Sequence, residues 1–160
     1  MKKLAVIVLA VFSVGFIVGG AYALVQGNQA YNDVKTRILA QHITTSPDAA
    51  IPNVLVNSAV TALAEADVIG VHAAEAVKGM VGQDLSYAQI PYQDEKGNPL
   101  PEGDPRVAAR SLLEDAAGLR SALYGTVAAF KLAELVMMLG VGFAALGLLF
   151  GFGAVYVHKT

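Results

Sequence analysis

The side chains best equipped for chemistry are Glu65, His72 and Glu75, which fall at steps of seven and three along one stretch. On a helix those steps put all three on one stripe. Carboxylate and imidazole groups so placed form a weak candidate for a metal site, above all if His42 approaches from the preceding segment. Metal sites in helical bundles draw their ligands from several facing helices, however, and neither neighbouring segment offers an inward histidine. The plainer reading is the solvated polar stripe of an amphipathic helix, with no metal and no cofactor.

A second pair, Lys131 and Glu134, lies at the mouth of an apolar run of membrane length. Inside a bilayer such a pair would carry a proton or an ion. Neither apolar block of the chain holds another acidic, basic or histidine residue, so a relay would have no next station. The pair is therefore expected at the membrane rim, with the Lys131 stem along apolar surface and its amine lifted toward water.

Other reactive constellations are missing. The sequence holds no glycine-rich phosphate loop, nucleophile elbow or HExxH motif, and no histidine is patterned against Ser46 or Ser58. It contains no cysteine, which excludes disulfides, thiol catalysis, zinc–thiolate sites and iron–sulfur clusters. A net charge of −2 without a clustered basic surface gives no case for nucleic acid. The chain reads as non-enzymatic.

The elements that position these residues follow from hydropathy. Apolar residues make up 55% of the 160, and charged ones only 15%, against about 25% in soluble proteins. The excess sits in two blocks, 4–25 and 135–157, each ~33 Å long as a helix and so able to cross a ~30 Å hydrocarbon core. Lys2 and Lys3 flank the first, and His158 and Lys159 close the second, so both ends belong in the cytoplasm by the positive-inside rule. Residues 27–125 carry twelve acidic and seven basic side chains, net −5, consistent with export. A removable signal peptide is the rival for the first block, because Ala21-Tyr22-Ala23 matches a cleavage pattern. The length of the apolar run and the lack of a polar stretch before that site favour retention.

Within the blocks, Gly15/Gly19 and Gly147/Gly151 match the small-xxx-small pattern that lets helix backbones approach in lipid. Gly140, Gly142 and Gly153 add to the second block, so the glycines predict packing of the spans on each other, on other chains, or both. Between the blocks, an apolar stripe of Leu55, Ala59, Ala62, Ala66, Ile69, Ala73, Val77 and Met80 predicts a helix over ~53–80. Asp104-Pro105 opens another that runs unbroken over ~105–157, and the first span extends through residues 31–40. Residues 83–103 form a polar loop, with a capping spacing at Ser86-x-x-Gln89.

The order LAQHIT, ALAEADVIGVHA, LSYAQIP and AGLRSALYGTVAAF, leading into a glycine-rich span, resembles a group of small two-span membrane proteins of actinobacteria and their relatives. Members of that group often carry the label of aromatic ring-opening dioxygenases of the LigA type. The resemblance implies a two-span membrane protein and singles out Ile69, His72, Tyr87, Leu119, Arg120 and Phe130, with His72 and Arg120 as the polar residues of a shared role. A soluble ring-cleaving subunit has no place for two membrane spans, so that activity is not expected here.

Together these readings predict an all-α membrane protein with two transmembrane helices and a small extracytoplasmic helical bundle. Its expected plan is a cytoplasmic start (1–3), a first span (4–25), and an extracytoplasmic helical region (26–130). An interfacial turn and second span (131–157) and a cytoplasmic end (158–160) complete it. The expected partners are the plasma-membrane lipid bilayer and other membrane subunits or copies of itself. The expected role is that of an accessory or structural subunit. A ligand- or metal-binding sensor is the first alternative. The second is a membrane enzyme acting on a lipid or quinone near Arg120, Lys131 and Glu134.

Overall fold

The computed structural model describes residues 2–159. It is all-helical, with α1 (Lys2–Leu39), α2 (Ala59–Val81) and α3 (Pro105–Lys159), plus a single 3-10 turn at Tyr87–Gln89. Among the described residues there is no strand, only isolated bridges at Thr44/Leu55 and Gln93/Pro99. The chain forms two units, one of Met1–Thr36 with Ala129–Thr160, the other of Arg37–Ala128.

In the first unit, α1 and the second half of α3 pack as an antiparallel hairpin. Ser13, Gly20 and Gly27 recur every seven residues on α1 and are buried, as are Ala133, Gly140, Gly147 and Ala154 on α3. A seven-residue repeat keeps one seam of each helix facing the other. Small residues at every seam position bring the backbones together. A β-carbon on Gly20 would lie 2.6 Å from the Gly140 carbonyl oxygen, and one on Gly147 would lie 2.8 Å from that of Ser13. Beside the seam, Phe16 meets both Phe143 and Phe150 with ring centroids 5.7 and 5.6 Å apart, and Phe12 meets Phe150 at 5.8 Å. Tyr31 tilts against the fully buried Phe130 at 4.9 Å.

The outside of this hairpin is apolar. Both helices are long and apolar enough to cross a membrane, and only 11% of their most apolar windows is buried. Val11, Phe12, Val14 and Val18 on α1, and Leu146, Leu149 and Phe152 on α3, are all exposed. A core helix of a soluble protein would bury such residues.

In the second unit, α2 is bounded by strong local signals. Ser58 takes the extended conformation of an N-cap, and with Thr61 forms a capping box: Thr61 N–H donates to Ser58 Oγ, and Ser58 N–H donates to Thr61 Oγ1. Gly82, at φ 75°, ends the helix in the left-handed conformation that glycine tolerates, its N–H reaching the Lys78 carbonyl. The spacing of apolar residues places the start of this helix near residue 53, whereas it begins at Ala59. The reason is that residues 54–56 are drawn into backbone pairing, Thr45 N–H donating to Val54 O and Val56 N–H to Ile43 O. At its other end α3 opens as its sequence dictates, with Pro105 first and the Asp104 carboxylate accepting from Arg106 N–H at 2.9 Å.

Apolar clusters pack within this unit. Ala49 and Ile51 pack on Ala64 and Val68 of α2, while Val77, Ile90 and Ala109 form a second cluster with Val81, Leu85, Leu112 and Leu113 around it. The 3-10 turn carries the expected cap, Gln89 Oε1 accepting from Ser86 N–H and Oγ.

Candidate functional site

The three residues of the α2 stripe sit in different surroundings. Glu65 is buried, and its carboxylate accepts from Ser46 N–H at 2.7 Å and from Ser46 Oγ at 3.1 Å. This corrects the expectation of a solvated stripe at Glu65, while His72 and Glu75 stay exposed. The preceding segment folds back over Glu65 and supplies the donors that a buried carboxylate needs. His72 is exposed, and its Nε2 donates to Asp48 Oδ2 at 2.6 Å. Glu75 is exposed on the same helix.

His42 takes the left-handed conformation at φ 51° directly after α1, where the Gln41 and His42 N–H groups turn back to the Ile38 and Leu39 carbonyls. Its place in the fold is thus at a helix end. Among the described residues, no group of three histidine or acidic side chains is arranged to hold a metal ion.

Asp48 is the partner that spacing did not reveal. The His72 hydrogen bond holds its carboxyl below the usual range, and the same bond raises the His72 pKa, with the negative charges of Asp48, Glu75 and Glu65 adding to it. Only a turn that reverses the chain between residues 46 and 58 brings Asp48 to the helix, and no local periodicity signals that.

Arg120 lies across α2. Its Nε donates to the Ala66 carbonyl at 3.0 Å and its Nη2 to Tyr124 Oη at 2.9 Å; Tyr124 Oη in turn donates to Asp67 Oδ1 at 3.0 Å. The guanidinium fits because Gly70 leaves room for it, a β-carbon there falling 2.8 Å from Arg120 Cζ. Nearby on α3, Arg110 donates to the carbonyls of Tyr87 and Ile90 and lies 4.0 Å from the Tyr87 ring centroid. Both arginines act as clamps whose donors satisfy backbone carbonyls.

Lys131 and Glu134 form an exposed ion pair at 2.9 Å on one turn of α3, which runs through them without a break. The glycines divide into two classes. Gly140 and Gly147 face α1 backbone, and Gly151 approaches Ser13 Oγ. Gly15, Gly19 and Gly142 have nothing within 4 Å of where a β-carbon would stand. On α1 the seam instead uses Ser13, Gly20 and Gly27, a recurrence of seven that the small-xxx-small pattern does not contain.

No family model matches this chain, and neither the curated proteins nor the solved structures contain a match to it.

Proposed function

We propose that this protein is an integral membrane hairpin that works by lateral association, as an accessory subunit of a larger membrane complex or as a homo-oligomer. Both termini lie in the cytoplasm and residues 26–130 on the outer side of the plasma membrane. The observation that carries this reading is the division of the glycines. One set is consumed by the hairpin's own seam, whereas Gly15, Gly19 and Gly142 stand open on helices whose exterior is apolar. In lipid, open glycines on a helix surface are where another backbone approaches most closely.

Retention of the first helix fits the same picture. α1 continues unbroken past Ala23 to Leu39, and removal of residues 1–23 would strip Ser13 and Gly20 from the seam. The apolar exterior supports membrane insertion, since water would have to solvate all of it otherwise. The resemblance to small two-span actinobacterial membrane proteins agrees with this plan. The aromatic ladder of Phe12, Phe16, Phe143 and Phe150 stiffens the hairpin on one side, with Gly19 at the same seven-residue position as Phe12.

The test replaces Gly15 and Gly19 together by leucine and compares the assemblies on native gels after mild extraction. Loss of the high-mass species with an intact, folded chain supports association through this face. An unchanged ladder of species removes the face from the account.

A further inference from the structure

Residues 43–56 lie along α2 as a strap held at two unequal points. The inner point is the buried Glu65 carboxylate, 7% exposed, bonded twice to Ser46. The outer point is a single contact between His72 and Asp48, whose side chains are 48% and 57% exposed. Between the two, Ala49 and Ile51 cover Ala64 and Val68. The strap has its own closure, since Thr45 Oγ1 both donates to the Val54 carbonyl and accepts from Val54 N–H. These bonds tie the two ends of the strap to each other. Its outer contact is the one that depends on an imidazole, the side chain whose charge changes near neutral pH.

We propose that residues 43–56 form a pH-responsive strap, clasped to α2 at both points while His72 is charged and released at its outer end when His72 loses its proton. The charged groups acting on the ring are Asp48 from the strap and Glu75 and Glu65 from α2, all acidic. A protonated ring adds a full positive charge to its hydrogen bond with the Asp48 carboxylate, whereas the deprotonated ring keeps only a neutral N–H facing it. Because the folded-state pKa of His72 is raised above its ordinary 6.5, the clasp is fully present below that value and is lost as pH rises through the folded one. Release uncovers the Ala64–Val68 face of α2, so acidity on this side of the protein governs whether that face is covered. This inference concerns the second unit alone and does not depend on membrane association.

The absence of native cysteine makes the test direct. Nitroxide labels at Ala50→Cys and Ala76→Cys, both exposed positions, report the strap-to-helix distance by pulsed electron paramagnetic resonance in the full chain held in lipid nanodiscs. At about pH 5.5 one narrow distance is expected, and at about pH 8.5 a longer component grows in. His72→Gln keeps a neutral donor at both pH values and should make the two distributions identical. A wild-type distribution that does not change with pH overturns the proposal, as does a pH response that survives in His72→Gln.

Discussion

Gly20 and Gly140 meet backbone to backbone across the hairpin seam: a β-carbon on either would stand 2.6–2.8 Å from the other's carbonyl oxygen. Neither backbone can yield to such a contact without separating the helices. Gly20→Ala or Gly140→Ala is therefore expected to destabilise the hairpin by about 1–3 kcal/mol. Gly15→Ala, which meets open space, should leave stability within about 1 kcal/mol of the parent or raise it. Thermal unfolding of the three variants in one mild detergent checks the contrast.

The Arg120 clamp makes a different demand. Arg120→Lys retains the charge but loses the planar fork that reaches the Ala66 carbonyl and Tyr124 together, and a loss of about 1.5–3 kcal/mol is expected. Gly70→Ala should cost less than Arg120→Lys, because the atom it strikes is the far end of a flexible side chain and alanine favours the helix. Denaturant unfolding of the two variants settles their order. A Gly70→Ala protein less stable than Arg120→Lys contradicts the clamp.

Glu65→Gln tests the inner pin of the strap. Glutamine presents one acceptor where the carboxylate presents two, so one Ser46 donor loses its partner, at about 1–3 kcal/mol. Hydrogen exchange of the Ser46 amide should accelerate markedly, while amides near the Gly82 cap keep their wild-type rates. Equal acceleration at both places would mean that the carboxylate holds α2 as a whole rather than the strap.

At the start of α3, the bidentate Arg106 guanidinium, with the Arg106 N–H beside it, lowers the Asp104 pKa to about 2. A depressed carboxyl contributes stability above its ordinary 3.8 that is lost as pH falls toward about 2. In Arg106→Ala the Asp104 titration, followed by carboxyl carbon resonance, should move up toward the ordinary value. No movement would detach the cap from the arginine.

The cysteine-free chain also permits a topology test. Glu102→Cys should react with a membrane-impermeant maleimide in intact cells, and Lys159→Cys only after permeabilisation. The reverse pattern overturns the inside–outside–inside arrangement.

Much of the helical plan was legible because its signals are local. Asp104-Pro105 opens α3, the lack of any proline between residues 26 and 39 lets α1 continue past its apolar block, and Ser86 with Gln89 caps a turn. The apolar stripe runs back to Leu55, but the backbones of Val54 and Val56 on either side of it pair with Thr45 and Ile43, so α2 starts only at Ala59. The burial of Glu65 and the partner of His72 were hidden for the same reason, since a chain reversal decides both and leaves no periodic trace. In the hairpin, the glycines four apart pointed to close packing, but the seam itself follows a spacing of seven through Ser13, Gly20 and Gly27. Serine and alanine share that seam with glycine, so counting glycines alone could not trace it.

The most direct test of association is the intact mass of the assembly taken from its native membrane with a tagged chain in mild detergent. The expected result is a chain that retains α1 and emerges with stoichiometric foreign subunits or with further copies of itself. A strictly monomeric chain in several mild detergents would contradict association. A mass lacking residues 1–23 would contradict the retained hairpin on which it rests.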